Sequence, residues 1–92
     1  MTNIQDTLAQ RQVTHGDFRL NALASQQLKE IIKCNAIKLL SRAHREALDL
    51  ICGKIARIVT GDPNHADSWH DIAGYATLIE NIILKEQEQE QE

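Results

Sequence analysis

The chain has 92 residues and a formal charge of −3; 42% of its residues are hydrophobic, and it contains four glycines and one proline. This length suits one small domain, and the composition favours a compact helical fold over a turn-rich sheet protein or a disordered chain. Four of the thirteen acids lie in residues 86–92, so the rest of the chain is near neutral. We therefore expect no dense basic surface of the kind that binds nucleic acid.

Chain length and cysteine spacing indicate the oligomeric state and the cellular compartment of the protein. A domain this small leaves much apolar surface exposed unless copies associate, so we expect a homo-oligomer, a dimer or larger. Cys34 and Cys52 lack the CxxC spacing of zinc sites, which indicates free thiols in a reducing compartment. The N-terminus has no signal-like apolar run, and no stretch approaches the ~20 apolar residues of a membrane span. The sequence predicts a cytoplasmic protein with no membrane partner.

The first segments in chain order are a weakly periodic N-terminus and a clear helix. Ile4, Leu8 and Val13 have the spacing of a short N-terminal helix or arm. After the sequence THGDF, apolar residues recur at helical spacing as far as Ile32, and Asp17 is placed to cap the start of this helix.

Two longer helices follow. A continuous apolar stripe predicts the longest helix over residues 36–60. The loop TGDPN ends it, because Gly61 suits a left-handed C-cap and a proline follows. The next helix runs to about Lys85, with an apolar face of Trp69, Ile72, Tyr75, Ala76, Ile79, Ile82 and Ile83. The predicted fold is all-α: a small bundle of three main helices forming one domain, residues 1–86, followed by an acidic disordered tail, residues 87–92.

Each long helix carries a second line of residues beside its apolar face. On the longest helix this line is Leu39, Ala43, Glu46, Leu50, Gly53, Lys54 and Arg57. On the next helix it is Asp67, Asp71, Gly74 and Leu78. Because a short loop favours an antiparallel hairpin, we expect the cations of the first line to face the aspartates of the second. A glycine within a helix costs about 1 kcal/mol relative to alanine, so both glycines indicate close approach by another backbone or a ligand.

Two interpretations of these facing charges remain open. The first is an ordinary salt-bridged rim of a helical hairpin, in which the helix dipole favours aspartates at a helix start. The second is a polar pocket lined by Lys54, Arg57 and Asp71. In that pocket the rings of Trp69 and Tyr75 would pack against a planar group, although both residue types are also common in helical cores.

The segment KIARIVTGDPNHADSWHDIAGYATLI closely resembles the C-terminal half of a small domain of unknown function found mainly in phages and prophages. In that family a lysine and an arginine in KIAR, a short loop and the pattern D.W.DIAGYA occur together, and THGDF resembles its N-terminal motif. The resemblance extends from about Arg11 to Leu84. It implies a phage or prophage accessory protein and says little about activity.

The chain is also distantly similar to MazG-like nucleoside triphosphate pyrophosphatases, all-α proteins in which an EExxE motif and a later ExxD motif hold Mg²⁺ on the nucleotide phosphates. Aligned to that family, Gly53, Lys54 and Arg57 stand at the EExxE positions, and Asp71 alone matches ExxD. Mg²⁺ prefers an octahedral shell of oxygens, so two cations in that shell would repel it. The resemblance therefore implies a MazG-like fold whose site has changed from hydrolysis to binding, because lysine and arginine can hold phosphate directly.

The leading functional hypothesis is an accessory protein that binds a phosphate-bearing small molecule, a nucleotide, with no cofactor and no metal site. In this hypothesis Lys54 and Arg57 hold phosphate, Asp71 orients the arginine or contacts a sugar or base, and Trp69 or Tyr75 packs against the base. The complete set of expected ligand-binding residues is His15, Glu46, Lys54, Arg57, Asp67, Trp69, Asp71 and Tyr75.

Two other classes of function remain open. One is a divergent Mg²⁺-dependent nucleotide pyrophosphatase with an alternative carboxylate set: Glu46, Asp49, Asp67 and Asp71. The other is a structural or host-interaction protein, for example one that blocks a bacterial defence component, with no small-molecule site. His15 in THGDF fits either a surface turn or a loop that reaches into a pocket. His65 and His70 are five residues apart, which is not the spacing of a zinc-binding pair on a helix.

Overall fold

The computed structural model describes residues 3–91, which form four helices and, within that range, no strand. The helices are α1 (Ile4–His15), α2 (Phe18–Asn35), α3 (Arg42–Thr60) and α4 (Ala66–Gln91). The all-helical class is therefore confirmed, and the N-terminal segment is a helix. The described helices contain no apolar stretch of membrane-spanning length.

Helix α3 lies at the centre of the arrangement. It packs against α2 on one side and α4 on the other, while α1 rests on both α2 and α3. Within residues 3–91, α2 and α4 do not touch each other. The most buried apolar side chains, Cys52, Ala56 and Ile58, all belong to the C-terminal half of α3. The core is therefore small and concentrated near the end of α3.

Short polar side chains determine where three of the helices begin. Asn3 caps α1, and Asp17 caps α2 by accepting hydrogen bonds from the backbone N–H groups of Arg19 and Leu20 at 2.8 and 3.4 Å. Ser41 Oγ caps α3 by accepting from the backbone N–H of His44 at 3.1 Å. Each cap pairs a donor that the first helical turn would leave free. The predicted cap at Asp17 is confirmed.

The start of α3 differs from the prediction. The helix expected over residues 36–60 begins only at Arg42, because Ser41 adopts an extended backbone and serves as its N-cap. Residues 36–41 form an irregular linker in which Ile37 and Leu39 are 94% and 101% exposed. Their apolar spacing favours a helix only when a neighbouring element buries that stripe, and none does so here. Among residues 3–91, the longest helix is α4, with 26 residues, and not α3, with 19.

Helix α4 continues through residues 87–91, where the composition predicts a disordered tail. Glutamate and glutamine have good intrinsic helix propensity, so a helix that is already formed can extend through such a run. Residues 84–90 are all exposed, and this end of α4 therefore contributes nothing to the core.

The loops α1–α2 and α3–α4 touch through two glycines. Gly16 has φ 79° and ψ −170°, a conformation that is essentially restricted to glycine, and a Cβ atom there would overlap the carbonyl oxygen of Thr60. A Cβ atom at Gly61 would lie 2.5 Å from the carbonyl carbon of His15. The expected left-handed C-cap at Gly61 is wrong, since its φ is −128°. Gly61 is required instead because the loop contact leaves no room for a side chain.

Gly16→Ala should lower the free energy of unfolding by about 2–3 kcal/mol, because it combines a strained backbone with overlap against Thr60. Gly61→Ala places a Cβ atom into the same contact from the other loop and should also destabilise the fold. The control Gln10→Ala, at an exposed position of α1, should change stability by less than about 0.5 kcal/mol. Urea denaturation followed by circular dichroism measures all three. A Gly16→Ala protein as stable as the control would show that the loop contact does not stabilise the fold.

Candidate functional site

A cavity of about 490 Å³ lies where α1 ends and α2 begins. Its lining includes residues from α1, from the loop at positions 16–17, from the first turn of α2 and from the C-terminal half of α3. The chemically distinctive members are Arg11, His15, Asp17, Phe18, Arg19 and Arg57. A volume of this size falls in the range of small-molecule binding sites.

Positive charge dominates the cavity wall. Arg11, Arg19 and Arg57 contribute three guanidinium groups, and Asp17 contributes the one carboxylate of the lining. That carboxylate already accepts two backbone hydrogen bonds as the cap of α2. Among residues 3–91, none of the three arginines forms an ion pair. The cavity therefore attracts anions, and its guanidinium donors are available to them.

An aromatic side chain forms part of the same wall. Phe18 lines the cavity and is 82% exposed, beside Leu8, which is 49% exposed. Arginine side chains stack readily on aromatic faces and on planar ligands. The cavity thus offers both a cationic surface for an anion and an apolar surface for a planar group.

His15 is the last residue of α1 and lies half-buried in the cavity wall, not in an exposed turn. Its ring packs edge to face against that of His65, with the centroids 5.7 Å apart. Burial, followed by the positive charge of Arg57 and then by His65, lowers the pKa of His15 below its usual 6.5. His15 Nδ1 and the neighbouring Asn21 Nδ2 are shielded and have no hydrogen-bond partner within the described chain.

Lys54 and Asp71 form an ion pair across the α3–α4 hairpin, with Nζ 2.7 Å from Oδ2. The hydrogen bond from Lys54 is the main cause that lowers the pKa of the Asp71 carboxyl. The lysine side chain is 15% exposed and the aspartate side chain 39%. The expectation that opposite charges meet near this turn is confirmed for this pair, and it leaves the Lys54 ammonium already partnered.

The other predicted residues lie apart from the cavity. Asp67 is exposed in the first turn of α4. Trp69 is 55% exposed, and its Nε1–H donates to the carbonyl oxygen of Pro63 at 2.8 Å, which ties α4 to the preceding loop. Glu46 and Tyr75 line a separate apolar recess of about 200 Å³ between α3 and α4. Of the eight predicted residues, the structure places only His15 and Arg57 in the cationic cavity.

Sequence reasoning missed three members of the cavity wall: Arg11, Phe18 and Arg19. All of them flank or belong to the motif THGDF, and the two arginines stand four residues before and four residues after His15. This symmetric placement of cations around a glycine-containing loop is the signal that could have identified them. Neither arginine belongs to an apolar stripe, so a search based on helical faces does not reveal them.

The carboxylates proposed for a metal-dependent reaction do not lie together at one site. Glu46 lines the recess between α3 and α4, Asp49 lines a separate cavity beside α2, and Asp71 pairs with Lys54. Across residues 3–91, no three His, Cys, Asp or Glu side chains are arranged to hold a metal ion. Three arginines in its lining suit the cationic cavity to an anion such as phosphate.

His15 should make stability depend on pH. Because its pKa is lowered by folding, the unfolded chain binds this proton more readily, so the contribution of His15 is complete above about pH 6.5 and is lost as the pH falls through the folded-state pKa. Free energies of unfolding measured between about pH 5 and pH 8 should fall less steeply on acidification in His15→Asn than in the wild type. Equal slopes would contradict the placement of His15.

The match to known families covers most of the chain. The model of a domain of unknown function, DUF6378, matches residues 2–83. No curated protein and no solved structure matches the chain significantly. The prediction of a small domain of unknown function is thus confirmed, and the chain belongs to the DUF6378 family.

Proposed function

We propose that this protein binds a phosphate-bearing small molecule, a nucleotide, in the cationic cavity and does not hydrolyse it through a metal ion. The observation that carries this proposal is the set of three guanidinium groups, free of ion pairs among the described residues, around one cavity of about 490 Å³. The resemblance of its motifs to phage and prophage domains supports such a role in a phage or prophage accessory protein.

The phosphate end of the ligand contacts the arginines. A guanidinium group presents planar, paired donors that match two phosphate oxygens, and it stays protonated at any physiological pH. Arg11 and Arg19 approach the cavity from α1 and α2, and Arg57 approaches from α3. Donors from three elements can surround one phosphate group or span two.

The planar end of the ligand contacts Phe18. This ring is exposed within the cavity lining, whereas Trp69 is bonded to the α3–α4 loop and Tyr75 lines the separate recess. Stacking on an aromatic ring favours a nucleobase over an aliphatic group and tolerates different bases. The proposal therefore assigns base packing to Phe18.

Lys54 and Asp71 act on the cavity from a distance. Lys54 pairs with Asp71 at 2.7 Å and is not part of the cavity lining, so this lysine supplies positive potential more than direct contact. Its charge reaches the site, because Lys54 is among the groups that lower the pKa of His15. Removing Lys54 should consequently weaken binding less than removing an arginine of the cavity.

The charge of the cavity also argues for binding without turnover. Mg²⁺ sites in proteins that act on nucleotides use carboxylates together with phosphates and waters. The one carboxylate in the lining, Asp17, already caps α2. Arginines alone can neutralise a phosphate group, but they provide no metal-bound water to attack it.

Isothermal titration with ATP and with inorganic pyrophosphate tests the proposal. Arg57→Met should weaken ATP binding by about 10- to 100-fold, since a charge-assisted hydrogen bond contributes roughly 1.5–3 kcal/mol. Lys54→Met should weaken it by no more than about 3-fold, as expected for a screened charge. The control Lys33→Met removes a cation from an exposed position of α2 outside the cavity and should leave ATP affinity unchanged.

Incubation of the same protein with ATP and Mg²⁺ separates binding from catalysis. We expect no release of pyrophosphate above the buffer rate. Steady release that Arg57→Met abolishes would instead establish the pyrophosphatase alternative. Unchanged ATP affinity in Arg57→Met would remove the cavity from the account, and absence of binding by the wild type would leave the host-interaction alternative.

A further inference from the structure

One face of the α3–α4 pair is open. Helix α2 packs on the side of α3 that carries Leu48, and Leu50 points to the opposite side because two residues turn a helix by about 200°. There Leu50, Leu78 and Ile82 are 40%, 63% and 42% exposed around the apolar recess. We call this surface the open face. Its recess is lined by Ala43, Glu46, Ala47, Leu50, Tyr75, Leu78, Ile79 and Ile82, and it also includes Gly53 and Lys54, which lie within about 60° of Leu50 around α3.

The chain exposes more surface than a compact monomer of its size. Its solvent-accessible area is 7485 Å², against roughly 5,400 Å² for a compact monomer of 10.4 kDa. The radius of gyration is 16.2 Å, against about 12 Å for a compact domain of this length. The projecting end of α4 and the exposed apolar side chains both contribute to this excess of about 2,000 Å². A standard protein interface covers about 800 Å² on each partner, so the excess can supply one.

The glycines within α3 and α4 mark where a partner can approach. Apart from its chain neighbours and the backbone of its own helix, a Cβ atom at Gly53 or at Gly74 would meet no atom of residues 3–91 within 4 Å. Within that range, the close backbone approach expected at these positions is therefore absent. Each glycine still costs about 1 kcal/mol of helix stability relative to alanine. A helix of another molecule that packs closely at Gly53 would account for the glycine there.

The residues of α3 on this face are arranged symmetrically about Leu50. Glu46 and Lys54 stand four residues to either side, and Ala47 and Gly53 stand three residues to either side. An antiparallel copy of α3 centred on Leu50 would place the acid opposite the base and the small residues opposite each other. Such self-complementarity is the requirement for a two-fold symmetric interface.

The charges on this face favour that arrangement. Glu46 is exposed and has no ion pair among the described residues. An ammonium group has three donors, so Lys54 can hold Asp71 of its own chain and a second carboxylate. In the antiparallel arrangement that second carboxylate is Glu46 of the other copy. Two equivalent ion pairs would then flank the apolar contact at Leu50.

We propose that the open face is a homodimer interface, in which α3 packs antiparallel to α3 of a second copy across a two-fold axis at Leu50, with α4 packing beside it. The partner is a second copy of this chain, because a pattern that is symmetric about one residue is complementary to itself. An unrelated protein would not share that symmetry. The interface does not use the phosphate, so the proposal stands independently of nucleotide binding.

Cysteine cross-linking tests both the interface and its register. In a Cys34→Ser background, which removes the exposed thiol, Leu50→Cys should form a disulfide-linked dimer on mild oxidation, because the residue faces itself within the ~7 Å that a disulfide allows. Glu46→Cys alone should not, since the two copies of that position are about 12 Å apart along the helix axis. Glu46→Cys mixed with Lys54→Cys should form the linked heterodimer. Leu23→Cys, which is exposed on α2, is the control and should stay unlinked.

Analytical ultracentrifugation supplies the second measurement. The wild type should sediment as a dimer. Leu50→Glu, which places two carboxylates face to face, should sediment as a monomer with its helical circular dichroism retained, while Leu23→Glu should remain a dimer. A monomeric wild type, a dimer that Leu50→Glu does not disrupt, or linkage through Leu23→Cys in place of Leu50→Cys would each overturn the proposal.

Discussion

A backbone contact between two loops positions the charged end of the molecule. Gly16 and Gly61 approach so closely that neither leaves room for a Cβ atom, and the backbone N–H of Asp62 donates to the carbonyl oxygen of Thr14 at 3.0 Å across the contact. The first glycine joins α1 to α2, and the second ends α3. Together with the packing of α2 on α3, the contact therefore helps to position Arg57 beside the end of α1 and the start of α2, where the cavity lies.

The charges of the protein are divided into a paired set and an unpaired set. Lys54 and Asp71 neutralise each other across the hairpin, whereas the three arginines of the cavity have no carboxylate partner among the described residues. Unpaired cations at one site repel one another and so disfavour folding. Burial, followed by the positive charge of Arg57, lowers the pKa of His15 in the same cavity. Such an arrangement is expected where an anion completes the site. The open face of α3 and α4 is a separate surface with a separate role.

Local spacing in the sequence was enough to predict the helical class and the approach of Lys54 to Asp71, because each depends on one helix or one short hairpin. It failed for the linker at residues 36–41, where a helical apolar pattern has no neighbouring element to bury it. It also failed for Arg11 and Arg19. Arg11 and Arg19 share a cavity with the arginine of α3, and this proximity depends on a contact between loops that are distant in the chain. No local sequence pattern predicts such a contact.

The most direct measurement follows the arginine side chains themselves. The Nε–Hε resonances of ¹⁵N-labelled protein can be recorded while inorganic pyrophosphate is added. Those of Arg11, Arg19 and Arg57 should shift together and saturate with one binding constant. Those of Arg42 and Arg45, which are exposed on α3 outside the cavity, should not move beyond the effect of added salt. Shifts of equal size at all five arginines, or none at the cavity arginines, would contradict the account.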